Sequence, residues 1–60
     1  MRKIDEYEGG RIAIWRLTPE ESEDARRFVV VVVEHGSDAG EHRFHSVREA
    51  RRLAAIEAEG

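Results

Sequence analysis

The longest unbroken apolar run in the chain is Phe28-Val29-Val30-Val31-Val32-Val33. β-Branched side chains pack well on a pleated surface and are stiff in a helix, so this run predicts a strand over 26–35. With no polar residue alternating into it, both of its faces should be buried, which places it centrally in a sheet. Residues 11–17 (Arg-Ile-Ala-Ile-Trp-Arg-Leu) read as a second strand, and residues 2–8 as a third and more polar one. Gly9-Gly10 stands between these two and can take the positive φ angles of a two-residue hairpin turn. Gly36-Ser37-Asp38-Ala39-Gly40 predicts a turn, and residues 41–45 a short last strand.

The spacing changes at Ser46. Val47, Ala50, Leu53 and Ala54 recur at helical intervals, while Arg48, Arg51, Arg52 and Glu59 fall on the opposite side. Ser46 and Glu49 have the spacing of a capping box, so the helix should begin there. A second helix-start signal, Thr18-Pro19-Glu20-Glu21, opens an acidic stretch that predicts one or two turns lying on the surface. The fold class is therefore α+β: a three- or four-stranded antiparallel sheet packed against one C-terminal α-helix, as a single domain over 1–60.

Alternate residues of a strand face opposite ways. Ile12 and Ile14 share one face of their strand, and Ala13, Trp15 and Leu17 the other. Phe28, Val30 and Val32 share one face of the valine strand, and Val29, Val31 and Val33 the other. Both strands are apolar on both sides, yet one helix covers one face. The other face predicts an apolar patch, and two copies burying that patch against each other about a two-fold axis would cover it. Ala13, Trp15, Leu17, Val29, Val31 and Val33 are the interface candidates for such a homodimer. The acidic 19–25 segment and the N-terminal strand folding over the same patch are the second way of covering it, and another protein docking there is the third.

Length and composition sharpen this picture. A chain of 60 residues buries only about 60% of its unfolded surface, so a partner surface would help it. There is no cysteine, which removes disulfides and thiolate zinc sites. Thirteen acidic residues outnumber ten basic ones, a poor balance for a general electrostatic grip on nucleic acid. No stretch is long and apolar enough to span a membrane, and the first residues lack the apolar segment of a signal peptide, so a cytoplasmic protein is expected.

Candidate chemistry is sparse. Glu20, Glu21, Glu23 and Asp24 form an acidic segment suited to docking a basic partner protein, although acids are also common in the first turn of a helix. His35, His42 and His45 gather around one turn and are weak metal candidates, since residues 42 and 45 of one strand point to opposite faces. No serine sits in a nucleophile elbow and no glycine-rich phosphate loop is present, so neither an enzyme nor a cofactor is expected.

The segment His42-Arg43-Phe44-His45-Ser46-Val47-Arg48-Glu49-Ala50 resembles the strand-to-helix corner of small strand-strand-strand-helix modules, with the form Phe-x-Ser/Thr-x-x-Glu-Ala. AP2-like DNA-binding domains, also found at the start of phage integrases, are one such family. The resemblance covers nine residues and implies the same fold. It also implies a second function, DNA binding through the sheet, in which Trp15, Arg16, Arg27 and Arg43 would be the contacts. The valine-rich central strand and the net charge of −3 depart from that pattern. The leading expectation is a non-enzymatic protein–protein interaction module, a homodimeric regulator or inhibitor.

Overall fold

The computed structural model describes residues 1–22 and 27–59. Four strands, β1 (Arg2–Tyr7), β2 (Ile12–Arg16), β3 (Val29–His35) and β4 (Asp38–Phe44), precede one helix, α1 (Val47–Glu59). The strands form one antiparallel sheet in the order β1-β2-β3-β4, so each pairs with its neighbour in sequence. The fold class is the α+β arrangement that the sequence predicts. The shortest dimension of the Cα envelope is 15 Å, which among the described residues holds one sheet and one helix.

The valine run is central, as its composition requires. Ile12 and Ile14 of β2 pair with Val33 and Val31 of β3, and these four pack with Val29, Ala50 and Ala54 into the core. Ala50 and Ala54 are fully buried, and their small side chains let α1 approach the sheet closely. Val47, Leu53, Ala58, Phe44, Ile4 and Tyr7 close the rim. The Ser46 hydroxyl accepts the Glu49 amide at 3.3 Å, which starts the helix where the capping signal stands.

Two turns differ from their sequence expectation. The β1–β2 connection is not a two-residue turn at Gly9-Gly10. Tyr7 pairs with Ile12, and the four residues between them include a 3-10 turn over Glu8–Gly10. Glu8, Gly9 and Gly10 all have positive φ there, so the reversal needs both glycines and also places Glu8 in the left-handed region. The β3–β4 turn is shorter than expected, because His35 pairs with Asp38 and only Gly36-Ser37 lie between them. Gly36 alone takes a positive φ, so Asp38, Ala39 and Gly40 are free to extend β4. After Thr18 the chain makes a hydrogen-bonded turn over 19–21, and the later part of the expected surface turns, residues 23–25, lies outside the described residues. Thr18 and Glu21 nevertheless form the reciprocal bonds of a capping box, Glu21 N–H to Thr18 Oγ1 at 3.3 Å and Thr18 N–H to Glu21 Oε1 at 3.0 Å.

Polar contacts tie the helix to the sheet edges. Tyr7 donates its hydroxyl to Asp5 Oδ2 at 3.1 Å, and Arg51 Nε lies 3.6 Å from the same oxygen. Burial, and then the neighbouring Asp5 carboxylate, push the Tyr7 hydroxyl up from its ordinary pKa. Arg11 donates to the Glu34 and Glu57 carbonyls, linking β2 to the end of β3 and to the last turn of α1.

Candidate interaction surface

Directly opposed residues of antiparallel strands share a face, so the register assigns every side chain to one side of the sheet. Val29, Val31 and Val33 lie on the helix side, at 1% exposure or less, and are core rather than interface. The uncovered side is built from Ala13 and Trp15 of β2 opposite Val32 and Val30 of β3. Leu17 continues it, with its N–H donating to the Phe28 carbonyl at 2.7 Å. The expected set of interface residues is thereby corrected: Ala13, Trp15 and Leu17 stand beside Val30 and Val32, and Val29, Val31 and Val33 leave the set. The outer strands add Lys3 and Glu6 from β1, and Glu41 and Arg43 from β4.

This second side is less exposed than its composition suggests. Ala13, Val30 and Leu17 are 6%, 3% and 8% exposed, and Trp15 and Val32 are half-buried. Long polar side chains and the returning chain shield it. Lys3 Nζ lies 5.3 Å from the centre of the Trp15 ring and 3.0 Å from Glu6 Oε2. Met1 and Glu21 stand at the rim of a depression of about 190 Å³ floored by Leu17, Val30 and Val32. The amino group of Met1 reaches Glu21 Oε2 at 2.7 Å. That bond, with the Thr18 amide bond behind it, pulls the Glu21 carboxyl down to about 2.

Arg43 borders the same depression. Its Nη1 is shut off from solvent and has no hydrogen-bond acceptor. A buried guanidinium nitrogen without an acceptor forgoes bonds that it would make in water, a cost that the fold carries at this edge. A second groove, about 300 Å³, runs between β4 and α1 and is lined by Phe44, Glu49, Arg52, Leu53 and Ile56. Ile56 is 59% exposed, the most exposed large apolar side chain after Met1 among the described residues. Sequence reasoning missed Ile56, Val30 and Val32. Ile56 carried a signal, since it is apolar and stands three residues after Leu53, at the margin of the stripe of Val47, Ala50, Leu53 and Ala54.

The other sequence candidates are dispersed. Of the acidic segment, Glu20 is exposed in the turn and Glu21 is engaged as described, while Glu23 and Asp24 lie outside the described residues. Arg16 pairs with Val29 and so stands on the helix side, whereas Arg43 stands on the uncovered side, and the sheet does not bring them to one surface. Arg27 is exposed in the connection before β3, beside Ser22, whose hydroxyl donates to its carbonyl at 2.9 Å. His35 and His42 share the helix side, but Asp38, the partner of His35, is four residues from His42, roughly 13 Å along β4. No group of three potential metal ligands comes together among the described residues. No described helix is long and apolar enough to cross a membrane.

No family model, curated protein or solved structure matches this chain.

Proposed function

We propose that the chain is a small non-enzymatic protein–protein interaction module that works as a homodimer. The observation that carries this reading is the one-sided covering of the sheet. A single helix packs on one side, and the other side keeps Trp15 and Val32 half-buried beside an Arg43 nitrogen that has no acceptor. Aromatic and arginine side chains placed beside a small apolar floor are the composition of a binding hot spot. Surface charge would then steer and orient the approach of the partner. The acidic turn at Glu20 and the arginines of α1 stand at separate places on the surface and offer both signs.

Light scattering across a dilution series tests the proposal. The expected result is a mass twice the 6.9 kDa of the chain, falling toward the single-chain value only on strong dilution. A mass of 6.9 kDa at every concentration would overturn the homodimer.

A further inference from the structure

Resting on the reading of the chain as a homodimer, but placing its contact at the sheet edge rather than on the Trp15–Val32 side, we infer that the second copy adds to the free edge of β4, with His42 on the two-fold axis, so that two four-stranded sheets become one of eight strands. The backbone supplies the first argument. Glu34 N–H donates to the Arg11 carbonyl and Leu17 N–H to the Phe28 carbonyl, so the even-numbered residues of β3 bond to β2. The odd-numbered ones therefore bond to β4, through Asp38, Gly40, His42 and Phe44. Ala39, Glu41 and Arg43 are left with their N–H and C=O groups turned outward along an open edge.

The two edges of the sheet are unlike. β1 carries a bulge between Lys3 and Asp5 and a run of charges, the usual means of making an edge unfit for pairing. β4 pairs with β3 over seven consecutive residues without an irregularity, and it contains no proline. It is the straight edge that accepts another strand.

Side-chain chemistry sets the register. In an antiparallel pair about a two-fold axis, residue numbers across the axis sum to a constant, and one residue faces its own copy. With Glu41 or Arg43 on the axis, like charges would oppose. With His42 on the axis, Glu41 faces the partner copy's arginine at position 43, and this happens twice by symmetry. The glutamate then arrives on the same side of the sheet as the Arg43 nitrogen that lacks an acceptor. Gly40 faces the partner copy's phenylalanine at position 44, whose ring can lie over the bare backbone.

Room on the helix side is also sufficient. Each helix covers β2 and β3, so the two helices would be about four strand spacings apart, roughly 19 Å at ~4.8 Å each. Helices with side chains are about 10–12 Å across, so a trough of roughly 8 Å remains between them. The Phe44–Leu53–Ile56 grooves of both copies open into that trough, so the two helices do not clash and the exposed Ile56 side chains line it.

The chain has no cysteine, so single-cysteine variants report the geometry directly. His42 is exposed, and a non-hydrogen-bonded antiparallel pair brings β-carbons to disulfide distance. His42→Cys in a glutathione redox buffer should convert most of the protein to a covalent dimer. Ser37→Cys, in the exposed turn far from the axis, should not. Glu41→Arg or Arg43→Glu alone should weaken the dimer about tenfold or more, because symmetry sets like charges opposite each other twice. The double exchange Glu41→Arg/Arg43→Glu should restore it. If the native chain is a dimer that Trp15→Cys cross-links and His42→Cys does not, the edge pairing is wrong and the homodimer stands. If Ser37→Cys cross-links as readily as His42→Cys, the edge pairing is equally wrong. If the native chain is a monomer, both readings fall.

Discussion

The two sides of the sheet are made of nearly the same residues and behave differently. On the helix side, Ile12, Ile14, Val29, Val31 and Val33 are at most 1% exposed, and α1 supplies the second layer. On the other side, Ala13, Leu17 and Val30 are covered by side chains and by the turn after Thr18, with Trp15 and Val32 left half-buried. Apolar composition alone therefore does not tell a core from a surface. What distinguishes them is whether an element with its own apolar stripe is available to cover them. Side chains such as Lys3 and Arg43 can shield apolar area with their stems, but they leave their charged ends to be satisfied.

That difference can be broken most forcefully at Val31. Val31→Glu places a carboxylate in the dry layer beneath α1 and should unfold the chain, since its cost of about 4 kcal/mol or more is comparable with the whole stability of a small domain. Loss of the cooperative thermal transition is the check. Ile14→Ala removes a fully buried side chain from the same layer and should cost about 2–5 kcal/mol, read from the denaturant midpoint. On the uncovered side, Trp15→Ala should cost only about 1–2 kcal/mol, because the ring already meets solvent. Equal costs for Ile14→Ala and Trp15→Ala would erase the distinction between the sides. Ser46→Ala, which removes the α1 cap without touching either face, should cost about 1 kcal/mol.

The smallest expected effect is a pH dependence from the uncovered side. Glu21 has its carboxyl pulled from the ordinary 4.5 to about 2 by the Met1 amino group and the Thr18 backbone. A carboxyl lowered on folding stabilises the folded state above its unfolded pKa. Its contribution is therefore full above about 4.5 and is lost as pH falls from there through about 2. Glu21→Gln should flatten the acid limb of the stability profile over that interval and leave the neutral region almost unchanged. An identical acid limb in the variant would show that the bond does not persist in solution.

The contents of each strand face were legible in the sequence, because the two-residue period of a strand is fixed by geometry. Which face of one strand joins which face of the next was not. Leu17 pairs with Phe28 across a ten-residue connection. A connection one residue longer or shorter would have put Val29, Val31 and Val33 beside Trp15. No local signal in the sequence between the two strands sets that parity. The helix start at Ser46 was legible because a capping side chain acts on its own backbone. The capping residues at Thr18 and Glu21 were equally legible, and their reciprocal bonds close the turn over 19–21. The length of β4 was hidden by Gly40, which reads as a turn residue. In the sheet it sits opposite Val33 with no positive φ.

Amide hydrogen exchange along β4, at high and low protein concentration, tests the edge pairing most directly. Gly40, His42 and Phe44 donate to β3 and should be protected at both concentrations. Glu41 and Arg43 face outward, and the account predicts that they are protected at high concentration and lose that protection on dilution. Free exchange at Glu41 and Arg43 under conditions where Gly40 and His42 stay protected at every concentration would contradict it.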